Sequence, residues 1–144
     1  MGWLDDTVIP GDNLFILPEA TLYDFGILTS RVHMTWMKRV AGRLKSDYRY
    51  SRDTVYNTFA WPSPTDEPRA MIETTAQGIL DARAQHPECL FADLYADTAM
   101  PLAIRNANRE NDAAVCEAYG WLENLGEEEI VVGLFRLYHE LVKI

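Results

Sequence analysis

Three prolines, Pro62, Pro64 and Pro68, fall within seven residues of the stretch WPSPTDEP. Proline fixes φ and donates no backbone hydrogen bond, so neither a central strand nor a helix interior passes through such a segment. It divides the chain into residues 1–62 and 63–144, and the two sides are patterned differently. After the prolines, Ser63, Pro64, Asp66 and Glu67 make a helix start. The apolar set Ile72, Ala76, Ile79 and Leu80 continues that helix to about His86 and Pro87. A short turn or helix over residues 90–95 follows. Pro101 opens another helix, with Leu102, Ile104, Ala107, Val115, Ala118 and Tyr119 on its apolar faces and Gly120 as its C-cap. Glu127, Glu128 and Glu129 complement the positive end of a last helix that buries Ile130, Leu134, Leu137 and Leu141.

Before the prolines the pattern is mixed. The apolar run 14–17, closed by Pro18, predicts a strand, and residues 19–28 predict a short helix carrying Leu22, Phe25 and Leu28. Ser30 suits the N-cap of a helix over residues 31–44, whose apolar positions are Val32, Trp36, Met37, Val40, Ala41 and Leu44. Val55, Asn57, Phe59 and Trp61 alternate with Tyr56, Thr58 and Ala60, which predicts a second strand ending at Pro62. The expected fold is α+β and predominantly helical, a small mixed N-terminal part with short strands followed by a C-terminal helical bundle. With 144 residues, 48% of them hydrophobic, the chain is long enough to bury one sizeable core.

Charge is distributed unevenly. Residues 31–52 hold seven bases (Arg31, Lys38, Arg39, Arg43, Lys45, Arg49 and Arg52) against one acid, Asp47, a local charge of +6. The chain as a whole carries -9, so the remainder carries -15. A polyanion-binding surface on a body that otherwise repels polyanions fits this division, as does a solvated helix face. At about 100° per residue, a helix continued past residue 44 gathers Arg31, Lys38 and Lys45 on one strip with Thr35 and Gly42 between them. His33 falls on the apolar side and reads as a hydrogen-bonded core histidine. Cys89 and Cys116 show no pairing signature and read as buried thiols of a reducing cytoplasm.

Several function classes lack their residues. There is no Gly-rich phosphate loop, nucleophile elbow or HExxH, and His33, His86 and His139 have no partners at metal-ligand spacing. The amino terminus MGWLDDTVIP has neither the basic nor the apolar region of a secretory leader, and no apolar run reaches membrane-spanning length. A cytoplasmic protein without catalytic, metal or membrane function of its own is expected.

The stretch GRLKSDYRYS remains, with Lys45 and Asp47 two residues apart. Lysine suits the guanine O6 and N7 acceptors of the major groove, and aspartate accepts from the cytosine N4 donor. In an extended segment, side chains two apart point the same way, so one would read a guanine and the other its paired cytosine. Arg31, Lys38, Arg39, Arg43, Arg49 and Arg52, with Ser46, Tyr48, Tyr50 and Ser51, would supply backbone contacts that fix register. The same spacing also fits an ordinary Lys-Asp pair on an exposed edge strand.

The run FGILTSRVHMTWMKRVAGRLKSDYRYSRDTVYNTFAWP, together with LFADLYADTAMP and AIRNANRENDAAVCEAYGW, resembles the recognition and carboxy-terminal helical regions of MmeI-like type II restriction-modification DNA methyltransferases. The resemblance covers most of the chain from about Asp12. In that family the positions matching Lys45 and Asp47 are a specificity pair, found as Lys with Asp or as Glu with Arg. The resemblance therefore implies a guanine on the strand carrying the methylatable adenine. Ala60 stands where proline is more usual in the family, and Asn108 where histidine is.

The family's methyltransferase uses S-adenosylmethionine and an Asn-Pro-Pro-Tyr-type motif, and its nuclease a carboxylate and lysine cluster; neither motif is present. The implied role is DNA target recognition for an adenine-N6-specific system, with double-stranded DNA as partner and no cofactor held by this chain. A working subunit, a fragment and a gene remnant all fit. The alternative is a protein-interaction module that docks on a separate methyltransferase chain or on a second copy of itself.

Overall fold

The computed structural model describes residues 1–12 and 14–143. Two short helices, α1 (Leu22–Thr29) and α2 (Arg31–Val40), meet at Ser30. This one residue ends the first helix and caps the second: its N–H donates to the Ile27 carbonyl at 3.1 Å, and its Oγ accepts from the His33 N–H at 3.3 Å. At the start of α1, the Thr21 Oγ1 accepts from the Asp24 N–H while the Asp24 carboxylate accepts from the Thr21 N–H, a closed capping box.

A hairpin of β1 (Gly42–Leu44) and β2 (Asp47–Arg49) follows, then a π-helical turn over Arg52–Tyr56. The remaining helices are α3 (Asp66–Ala84), the single turn α4 (Phe91–Leu94), α5 (Leu102–Ala118) and α6 (Glu127–Val142). Gly120, expected as a C-cap, has φ +72 just past α5, a conformation that costs glycine nothing.

Helices α1, α3 and α5 cross closely because Gly26 has no side chain. A Cβ there would lie 2.6 Å from the Ile72 methyl and 3.2 Å from Ala76. Buried Asn111 on α5 uses the same gap. Its Nδ2 donates to the Gly26 carbonyl at 2.8 Å, and its Oδ1 accepts from the Thr75 hydroxyl at 3.0 Å. On the other side, α2 lays Trp36 against Phe135 and Tyr138 of α6, with ring centroids 4.9 and 6.2 Å apart. One core joins Val32, Trp36, Val55 and Phe59 to Ile72, Val115, Ile130 and Leu134, so residues before and after the prolines pack together. The proline stretch is strapped down as well: Tyr119 donates to the Ala60 carbonyl at 2.6 Å and Tyr23 to that of Pro62 at 3.3 Å.

Several expectations are corrected. Residues 14–17 form no strand; Leu14, Phe15 and Ile16 are exposed, and among the described residues no neighbouring strand offers them a ladder. The second helix stops at Val40, because the backbone of residues 42–44 pairs with 47–49 instead. Gly42 and Lys45 therefore leave the expected cationic strip, and Thr35 is buried. Residues 55–61 are not a strand. Val55 and Phe59 reach the core from a tight turn in which the Thr58 hydroxyl donates to the Thr54 carbonyl at 2.7 Å. Leu141 is exposed at the end of α6, and Cys89 is exposed while Cys116 is buried.

Candidate nucleic-acid interface

The hairpin pairs Gly42 with Arg49, Arg43 with Tyr48 and Leu44 with Asp47, leaving Lys45 and Ser46 as a two-residue turn. Lys45 has φ +60, the sign that primed hairpin turns require and that a non-glycine residue adopts at a cost. Lys45 and Asp47 thus do not share one extended segment. Lys45 lies in the turn and Asp47 opens the returning strand, so both stand at the hairpin tip. Both are exposed, and no salt bridge joins them. One face of the hairpin is closed by Arg43 and Tyr48: the Arg43 Nη2 donates to the Tyr48 hydroxyl at 3.0 Å, with the guanidinium carbon 4.7 Å from the ring centroid. Asp47 and Arg49 share the opposite face.

Where the hairpin joins the body, Gly42, Arg49, Tyr50, Ser51 and Thr54 line a cleft of about 350 Å³. Tyr50 is half-buried there, its hydroxyl 3.0 Å from Nε2 of His33 and its ring stacked on Phe15 with centroids 6.0 Å apart. Burial pushes the Tyr50 phenol up to about 12 and the His33 imidazole down to about 4, so the pair is uncharged near neutral pH. His33 is the core histidine that its apolar side predicted, set edge-on to Phe59 at 4.6 Å. Gly42, Thr54 and Phe15 carried no signal of this role in the sequence, because the cleft is made by a chain reversal and a turn that the periodicity does not show.

The cations differ in freedom. Arg31 turns inward: its Nη2 donates to the Glu123 carbonyl at 3.1 Å and its backbone N–H to Asp112 Oδ1 at 2.7 Å. Burial raises the Asp112 carboxyl above its ordinary range, opposed by that N–H and by the Arg31 charge. Lys38 pairs with Glu127 of α6 at 3.0 Å, and Arg52 with Asp53 at 3.3 Å. Arg39, Lys45 and Arg49 are exposed and have no side-chain partner among the described residues. With Arg43 they make a basic segment that runs from the end of α2 along the hairpin, and Ser46, Tyr48 and Ser51 belong to the same segment.

Among the described residues, no group of three or more His, Cys, Asp or Glu side chains could hold a metal ion. No described helix is long and apolar enough to cross a membrane.

The family model "MmeI, target recognition domain" matches residues 1–63, and "MmeI, C-terminal domain" matches residues 64–144. DNA methyltransferase A of Bacillus subtilis (strain 168) is 38% identical over 143 residues, 99% of this chain and 16% of that protein. The solved structure of the Type IIL restriction-modification enzyme MmeI in complex with DNA superposes with a TM-score of 0.85 at 38% identity, over 88% of this chain and 17% of that one. The chain spans about one sixth of the length of these relatives. Matched end to end by two successive domains of one family and superposing on that family's solved structure, the chain belongs to the MmeI family.

Proposed function

We propose that this chain recognises a DNA target for adenine-N6 methylation, and that Lys45 and Asp47 read one G·C pair. The observation that carries the reading is the exposed hairpin tip, which holds a cation and a carboxylate two residues apart with no salt bridge between them. The major groove is about 12 Å wide and admits a two-stranded β ribbon. The unpaired Lys45 ammonium suits guanine O6 and N7, and Asp47 suits the paired cytosine N4 amine. Phosphate attraction gives no reason for a carboxylate here; rejection of wrong bases does. Arg39, Arg43 and Arg49 would hold phosphates on either side and set the register. That the MmeI structure is a complex with DNA supports the same partner for this relative.

The methyl donor S-adenosylmethionine, implied by the family, finds no fitting site in the two clefts among the described residues. Its ribose hydroxyls and ammonium call for carboxylate acceptors, and the cleft beside the hairpin has none among its lining residues. A second cleft, lined by Trp61, Pro62, Ser63, Tyr119 and Leu137, offers a single carboxylate, Glu140. Methyl transfer is therefore assigned to a catalytic region, in the same or a separate chain, to which this domain delivers the site.

Selection from a randomised duplex pool at low salt tests the reading. One base pair of the recovered consensus is expected to switch when Lys45→Glu and Asp47→Arg are made together, at a cost of roughly 1–3 kcal/mol for the original pair. A pool that yields no consensus, or a consensus indifferent to the double change, would overturn it.

A further inference from the structure

Tyr50 follows β2 directly, and it is where the hairpin meets the body. Gly42, Arg43 and Lys45 through Arg49 are all exposed, so no buried side chain among them holds the hairpin at an angle to α2. Tyr50 is the first half-buried residue after the tip, and its hydroxyl lies 3.0 Å from His33 Nε2. His33 is immobilised in turn: it is fully buried, its backbone N–H is held by the Ser30 Oγ, and its ring abuts Phe59. The other ring nitrogen, Nδ1, is buried and has no partner among the described residues. An apolar side chain at position 33 would fill the core without that cost. Among the described residues, the one polar contact this imidazole makes through its ring goes to the root of the hairpin.

We infer that the hydrogen bond between Tyr50 and His33 sets the orientation of the hairpin, making both of them positioning residues for base reading at its tip. The inference rests on the DNA-reading role proposed above for Lys45 and Asp47. Leverage gives it weight. At about 3.3 Å per residue, the turn lies roughly 13 Å from Tyr50, so a swing of about 10° at the root displaces the tip by about 2 Å. Hydrogen bonds to base edges tolerate only a few tenths of an ångström. Phosphate contacts by flexible arginines are far more forgiving, so a loosened root loses discrimination before it loses affinity.

Two variants of the full chain separate positioning from folding. Tyr50→Phe keeps the ring against Phe15 and removes the hydroxyl; Tyr50→Phe with His33→Leu makes both partners apolar and is expected to recover stability. Amide order parameters and residual dipolar couplings of residues 42–49 are read without DNA. Discrimination is then read between the selected duplex and one altered at the base pair assigned to Lys45 and Asp47. Tyr50→Phe is expected to lower hairpin order and to cut discrimination about tenfold, with binding to a scrambled duplex changed less than twofold. The double variant recovers stability without recovering discrimination. Unchanged order and couplings in Tyr50→Phe would overturn the positioning role by themselves, and so would discrimination retained in either variant. If the wild-type chain does not discriminate although Tyr50→Phe loosens the hairpin, the DNA-reading role fails instead, and the specificity role of Tyr50 and His33 fails with it.

Discussion

Lys45 combines two properties that oppose each other. Its φ of +60 belongs to glycine, yet a glycine there would have no ammonium to offer a base. Lys45→Gly is expected to raise the stability of the free chain by about 1 kcal/mol in chemical unfolding while erasing preference at one base pair. A loss of stability would mean that the turn does not carry the strain. His33 contributes a pH dependence of definite sign. Its imidazole titrates near 4 when folded and near 6.5 when unfolded, so its contribution is complete above pH 6.5 and is lost as pH falls toward 4. Between pH 7.5 and 5 this amounts to about 2 kcal/mol, which His33→Gln should remove from the slope of urea-unfolding free energy against pH. The buried histidine, the Ser30 cap and the Gly120 cap were legible in the sequence, because each follows from one side chain and its immediate neighbours. The strain at Lys45 was not: Lys-Ser carries none of the Asn-Gly or Asp-Gly signals that announce a two-residue turn.

Helices were legible where one face is buried. The expected spans of α3, α5 and α6 agree with the observed ones to within a few residues, because a buried face stamps a 3.6-residue period on the sequence. The hairpin left no such mark, since the side chains described along it are exposed on both faces and nothing forces apolar and polar residues to alternate. Alternation misled in the opposite direction at residues 55–61, where a turn followed by an irregular stretch also sends Val55 and Phe59 inward. Nor did the sequence announce the α1–α3–α5 crossing, which depends on the glycine at position 26 facing an asparagine 85 residues later. Gly26→Ala is expected to force these helices apart at a cost of about 1–3 kcal/mol, read as a lower thermal midpoint with the hairpin's own dispersion unchanged. A midpoint equal to that of the wild type would show that the crossing relaxes freely.

Across the whole molecule, a basic segment stands against a remainder of opposite sign. Outside residues 31–52 the chain carries a net -15, so association is expected hairpin first. If Arg39, Arg43 and Arg49 each hold a phosphate as proposed, log K is expected to fall with log salt at a slope near -3. Arg39→Ala should reduce the slope by about 1, whereas Arg31→Ala should leave it unchanged, because that guanidinium already serves the Glu123 carbonyl. Equal effects of the two substitutions in a potassium chloride titration would contradict the division. The sequence located the charge, but it did not separate free cations from committed ones, since Glu123 and Glu127 lie about 90 residues from their partners. The hairpin's attachment has a last consequence, for how the molecule can change over generations. Because Lys45 and Asp47 are exposed at the hairpin tip, substitutions there should add to core substitutions without coupling. On the proposed reading, the recognised address is therefore free to drift while the scaffold stays under separate selection, and a new preference need not wait for a compensating change in the helices.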